Sequence, residues 1–397
     1  MLSSRRTFWV LILIVGVAGV NQGLTIPLLA VLLENQGVSS VVNGLNATAL
    51  YIGLVLVSPW LEIPLRRFGY RNTLFAGLVV LTVATLLLPF FSSLTVWFVL
   101  RLLMGVGDST LHYASQMWVT KIAAEKNRGR DLSIYGLAYG VGFGIGPLGL
   151  SLLPFGQWVP FGSLLVLYLV AYVLLARMKN EFPAEIKPAE KKQNKYVTVL
   201  RFGWLALIPP FLYGFMETSL NGSFPVYALR SGLSVEWVSL ILPSFVAGSI
   251  ILQMPLGTLS DKIGRKQVML VCALIGSLAF FLFPLAQGNV WAMMALLGIA
   301  GAAVGSFYSL GLALAADILP ASMIPTAGIL SGINFGVASI LAPGLNGYLM
   351  QAWEPWTMFW LMGGQLLAFS VACLVQRKSC GHGRAPEIAE SSLQKQG

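Results

Sequence analysis

Charge is what this sequence has least of. Asp, Glu, Lys and Arg make up 10% of its 397 residues, against about 25% in soluble globular proteins, and 56% of the chain is hydrophobic. These proportions exclude an ordinary water-soluble core. Cysteine is scarce too: Cys272, Cys373 and Cys380 are odd in number and unclustered, which excludes a disulfide framework and a Cys-based metal motif. Of the two histidines, His382 stands alone in a polar tail and gives no metal site. The chain has no Gly-x-x-x-x-Gly-Lys-Ser/Thr loop, so ATP is not its energy source. No nucleophile and base can be placed in one cavity, so neither an enzyme, a catalytic residue, a metal nor a cofactor is expected.

What is present in abundance is long apolar runs. Twelve stretches are each long enough to cross a hydrocarbon core of about 30 Å at about 1.5 Å per residue. They run from Phe8–Leu33 to Trp356–Val375 and include Val41–Leu65, Leu132–Pro154, Phe202–Tyr227 and Val290–Ala316. The expected fold class is therefore an all-α membrane protein of twelve transmembrane helices. The first run follows MLSSRR but is too long for a signal peptide and is not followed by a cleavage site, so it is the first helix. With both termini in the cytoplasm, every Lys and Arg falls on the inner side except Arg101, within a span, and Arg230, in an outer loop. The net charge of +10 is then a topology signal with affinity for anionic inner-leaflet lipid, and implies no nucleic-acid partner. Trp158, Trp353 and Trp356 sit at span ends, as in an interfacial belt.

The one long polar connection, between Ala176 and Arg201, divides the spans six and six. The halves are 1–177 and 201–377, joined by a cytoplasmic linker at 178–200 and followed by a tail, 378–397, that reads as disordered. An internal repeat supports this division. Gly37-Val38-Ser39 corresponds to Gly232-Leu233-Ser234, and Phe68-Gly69-Tyr70-Arg71 to Ile263-Gly264-Arg265-Lys266, both at an offset of 195.

The second set closes its eighth span with QMPLGTLSDKIGRK, Gln253–Lys266. Gly257 allows a close neighbour, Asp261 one turn on can face the positive end of another helix, and Lys262, Arg265 and Lys266 stay in the headgroup layer around Gly264. This pattern resembles the Gly-x-x-x-Asp-Arg/Lys-x-Gly-Arg-Arg/Lys loop of the major facilitator superfamily. The resemblance implies two six-helix halves that rock about a midplane cavity, with this loop latching one conformation. The first-half copy departs from it: Glu62 and Arg66 replace Gly and Asp, so the helix-end acid is Glu62 or is missing. Pro59 and Pro64 predict a bend there.

In the fourth span, Arg101, Gly105, Asp108 and His112 fall within about 60° of one another, with Ser115 beside them. Ionisable groups at such depth cost at least about 2.5–3.5 kcal/mol and mark function. Arg101-x-x-x-Gly105-x-Gly107 resembles the family's fourth-helix motif, which implies proton transfer, and His112 is placed to exchange a proton with Asp108. In the fifth span, Gly136, Gly140 and Gly144 form a smooth stripe for helix packing, and Gly142-x-x-x-Gly146-Pro147 resembles the antiporter motif of exporters. The seventh span presents Tyr213, Glu217 and Asn221 on one face, with Glu217 corresponding to Gln22 beside Asn21. Burial disfavours the charge of Glu217 and suits it to carry protons. Asn21, Gln22, Tyr213, Asn221 and Asn334 are the candidate cavity residues, and Asp108, Glu217, Arg101 and His112 the candidate proton-coupling set. The reading is a monomeric, proton-coupled exporter of a hydrophobic or cationic small molecule in a bacterial inner membrane. Alternatives are proton-coupled uptake of a sugar or metabolite, lipid flipping, or a membrane sensor without transport.

Overall fold

The computed structural model describes residues 2–124, 128–183, 195–320 and 323–375. The tail at 378–397, with Cys380 and His382, and the middle of the linker lie outside the described residues. Among the described residues the chain is all α, with no strand. Eleven helices are long and apolar enough to span a membrane.

The first set comprises α1 (Leu2–Asn35), α2 (Ser40–Val57), α3 (Glu62–Leu87), α4 (Leu94–Ile122), α5 (Arg128–Ile145) and α6 (Val159–Ala176). The second run, expected to continue to Leu65, stops at Val57. A 3-10 turn, Ser58–Trp60, holds Pro59, and Pro64 lies in the first turn of α3; the backbone keeps helical angles across the turn, and the non-helical break comes at Gly69 (φ +81°). The fifth span continues past Ile145 as a 3-10 stretch, Gly146–Phe155, because Pro147 cannot extend the α ladder.

The seventh span is the main correction to the sequence reading. Phe202–Tyr227 is not one helix but parts of three: α7 (Lys195–Phe202), α8 (Trp204–Gly222) and α9 (Phe224–Arg230). The twelfth span exists only as the α7–α8 pair, bent by 89°. Pro209 and Pro210 in α8 each remove a backbone donor, and Asn334 Nδ2 donates at 3.0 Å to the Leu207 carbonyl. The set continues with α10 (Val235–Ile263), α11 (Arg265–Leu282), α12 (Val290–Val304), α13 (Phe307–Ile318), α14 (Ile324–Ala352) and α15 (Thr357–Val375). The expected Val290–Ala316 helix is one apolar span, Val290–Ile318, with a short turn at Gly305 and Ser306 between α12 and α13.

By contact the chain forms two compact units. One comprises Met1–Glu185, Leu220–Pro243 and Pro343–Ala352; the other comprises Ile186–Ser219, Ser244–Ala342 and Trp353–Gly397. This grouping cuts across the repeat, because α9 packs on α1 and the end of α14 packs on α2.

The repeat itself extends to single hydrogen bonds. Gly37 (φ +72°) and Gly232 (φ +79°) end α1 and α9 in the same left-handed turn. Gly37 N donates to Glu34 O and Val38 N to Leu33 O; 195 residues later Gly232 N donates to Leu229 O and Leu233 N to Ala228 O. Helix packing repeats too, through glycines whose missing side chain lets a backbone approach. A Cβ on Gly53 would collide with the Leu102 carbonyl, and on Gly248 with that of Gly298. Gly105 meets Leu50 as Gly301 meets Phe245, and Gly19 meets Tyr139 as Gly214 meets Phe335.

Glycine roles differ from expectation in two places. In the fifth span, Gly142 and Gly146 are seated against Gly16 and Gly23 of α1, whereas an added Cβ on Gly136 or Gly140 would meet no neighbour within 4 Å. Residues of the exporter-like motif therefore make the close α1–α5 seam, and the Gly136–Gly140 face does not. Gly257 likewise has open space where a close neighbour was expected. Gly142→Ala and Gly146→Ala should each destabilise the protein by about 1–3 kcal/mol, lowering its thermal aggregation midpoint in detergent. Gly136→Ala and Gly257→Ala should leave that midpoint unchanged or raise it.

Candidate transport site

The polar face of α4 points into the first unit, and tyrosines gather around it. His112 Nδ1 lies 3.2 Å from the Tyr135 hydroxyl, which is also 2.9 Å from Ser115 Oγ. The His112 ring meets the Tyr139 ring edge to face at 4.5 Å between centroids. Tyr139 donates its hydroxyl hydrogen to Gln22 Oε1, and Tyr168 donates to Asn21 Oδ1. Thr85 Oγ1 lies 3.2 Å from the same Tyr168 hydroxyl. The cluster thus joins α1, α3, α4, α5 and α6 within one unit, and it includes four of the residues singled out in the sequence: Asn21, Gln22, His112 and Ser115.

Asp108 is the exception in an otherwise satisfied set. It is 1% exposed, and neither carboxyl oxygen has a hydrogen-bond partner. Arg101, 2% exposed, likewise leaves Nε and Nη2 without one. The two are seven residues apart on one helix, about 10 Å of rise, and they do not neutralise each other. His112 makes no hydrogen bond to Asp108 and is tied instead to Tyr135. A buried, unpaired charge is among the most expensive groups a protein can hold. That sets Asp108 apart from the other polar residues of α4 as a candidate site.

In the second unit Glu217 is hydrogen-bonded to Tyr213 one turn earlier on α8. Asn334, expected to line a cavity, bonds the Leu207 carbonyl of the proline-containing α8 and also borders a cavity of about 280 Å³ lined by Leu200, Trp204, Leu207, Ile208 and Phe211. Asn221 is buried and belongs to the first unit, whereas Tyr213 and Glu217 belong to the second. The repeat places Val304 opposite Asp108 and Leu297 opposite Arg101, each 196 residues on. The charged stripe of α4 thus has no copy in α12.

The two loop signatures are built differently. In the second, Arg265 bridges Asp261 at 3.2 Å and Asp317 at 2.6 Å, so Asp261 pairs with the start of the next helix and Asp317 joins the same cluster. Lys262 and Lys266 enter no ion pair among the described residues. In the first, Glu62 pairs with Arg66 on its own exposed turn at 2.6 Å and enters no other ion pair among the described residues. The acid comes from the start of the linker. Glu181 pairs with Lys121 at the end of α4 at 2.7 Å, and its carbonyl accepts from Tyr70 N at 2.7 Å. Asn180 bonds both Phe68 O and Arg71 N across Gly69, whose φ of +81° matches the turn at Gly264. Lys121 and Asp317 are 196 residues apart, so the same place carries opposite charges in the two halves. Sequence reasoning missed Lys121, Asn180, Glu181 and Asp317; the repeat offset could have found the Lys121–Asp317 reversal. It also missed Tyr135, Tyr139 and Tyr168, for which only their depth was a signal.

A bundle of apolar spans with an internal repeat and buried ionisable groups defines a multi-pass membrane transporter. The major facilitator superfamily model matches residues 11–241 and 210–393, and the chain belongs to that family. An MFS-type transporter of Bacillus subtilis (strain 168), YfkF, described as uncharacterised, is 42% identical over 366 residues, covering 90% of this chain and 92% of the relative. Multidrug resistance protein 2 of the same organism is 22% identical over 370 residues, covering 88% and 90%. Among solved structures, the nucleoside transporter NupG superposes with a TM-score of 0.72 at 13% identity, covering 96% of this chain and 100% of that one, a likeness of fold.

If the linker clasp holds the first loop, Asn180→Ala should cost about 1 kcal/mol through its two lost hydrogen bonds and lower the thermal midpoint. Glu62→Ala, removing only an exposed intrahelical pair, should not move it.

Proposed function

We propose that this transporter is a proton-coupled exporter of hydrophobic or cationic small molecules, acting as a monomer in a bacterial inner membrane with both termini in the cytoplasm. The observation that carries the reading is Asp108: a buried carboxyl with no partner, ringed by a hydrogen-bonded tyrosine cluster. In alternating access such a group holds a proton while sealed from water and releases it when its surroundings open. Glu217 does the same in the second unit, steadied by Tyr213. Arg101 biases the charge state of acids near it, and His112 passes a proton through Tyr135 in place of a direct bond to Asp108. Tyrosine faces suit a cationic or aromatic cargo. The similarity to multidrug resistance protein 2 supports export of this class, as do Gly142, Gly146 and Pro147 on α5. The repeat halves 1–177 and 201–377 are the moving parts, joined by 178–200.

The test uses proteoliposomes holding a pH dye, challenged with lipophilic cations, sugars and lysolipids. Lipophilic cations should drive proton movement, and Asp108→Asn and Glu217→Gln should each reduce it at least tenfold. Unchanged flux in both variants would remove these residues from the mechanism. A response to sugars alone would replace export with uptake.

A further inference from the structure

We propose that Glu34 and Arg230 form an outer latch that sets how readily the transporter opens to the outside, an inference that rests on the proposed orientation. Arg230 Nε lies 2.7 Å from Glu34 Oε1 and Nη2 lies 3.3 Å from Oε2, a two-pronged pair whose side chains are 30% and 16% exposed. Among the described residues it is the ion pair that joins the first six-helix set to the second. Its partners are 196 residues apart, at the ends of α1 and α9 and just before the matching turns at Gly37 and Gly232. The repeat therefore brings two equivalent positions together and gives them opposite charges.

The pair caps an end that is packed backbone to backbone. Asn43 Nδ2 donates to Ala30 O at 2.9 Å. An added Cβ on Gly44 would strike the Pro343 carbonyl, and one on Gly347 the Ser40 carbonyl. Opening this end parts α2 from α14, and those contacts supply only short-range attraction that vanishes on separation. The ion pair supplies directional resistance, since Arg offers two parallel N–H groups that fit one carboxylate.

The test places a cysteine at Ser40, 2% exposed on α2, in full-length protein lacking Cys272, Cys373 and Cys380. Labelling rates are measured in intact cells with an impermeant maleimide and with N-ethylmaleimide. Glu34→Gln and Arg230→Gln should each speed labelling about two- to fivefold, as befits one partly exposed ion pair, and the exchange Glu34→Arg with Arg230→Glu should restore the slow rate. Should the neutral variants not reach the membrane, Arg230→Lys, which keeps the charge without the paired donors, should still speed labelling. Equal rates in all variants, or acceleration that the exchange fails to reverse, would overturn the proposal. Acceleration confined to the permeable reagent would place the pair on the inner face and overturn the outer assignment, leaving the export reading to its own test.

Discussion

A charge inside an apolar bundle must be neutralised, and most of the polar side chains gathered around α4 and α8 are hydrogen-bonded. Asn21, Gln22, Ser115 and His112 find tyrosine hydroxyls, Glu217 finds Tyr213, and Asn334 satisfies a carbonyl near two prolines. Asp108 and Arg101 do not. Such a carboxyl carries a desolvation cost, and the proposed proton exchange gives it a use. The surrounding tyrosines are already fixed to helices α1, α3 and α4, so the carboxyl sits in a rigid frame. Its proposed exchange of charge would then be felt by the whole first set of helices.

That rigidity comes from backbone packing at glycine. In lipid no hydrophobic force draws helices together, so close approach and dispersion must do it. The Gly53, Gly105 and Gly19 contacts recur in the second set as Gly248, Gly301 and Gly214, which gives two similar bundles from one pattern. The polar equipment is not duplicated. Charge lies on α4 in the first set and on α8 in the second, the two loop signatures use opposite charges at Lys121 and Asp317, and the ends of α1 and α9 contribute Glu34 and Arg230. A repeated frame with unrepeated charges can bias a conformational equilibrium without disturbing the fold.

Much of this was legible in the sequence because hydropathy, positive charge and the 195-residue offset are one-dimensional signals. The spans, the 3-10 turn at Pro59, the turns at Gly37 and Gly232 and the family follow from them. The division of the seventh span did not, since Phe202–Tyr227 is apolar on both sides of its breaks, which fall at Gly203 and Ser223. Glycine contacts were also misassigned at Gly136, Gly140 and Gly257: spacing shows which glycines share a face, not which face meets a neighbour. Glu181 escaped notice because it lies in a polar stretch over 100 residues from the Gly69 loop it clasps, and only folding brings them together.

The central claim is that Asp108 holds its proton without a hydrogen-bond partner. Infrared difference spectra across pH, taken on protein in liposomes, test it directly, because the C=O stretch of an unbonded carboxylic acid lies at higher frequency than that of a bonded one such as Glu217. The account predicts a high-frequency carboxyl band that titrates in the wild type, vanishes in Asp108→Asn and persists in Glu217→Gln. Wild-type and Asp108→Asn spectra without any such difference would contradict it.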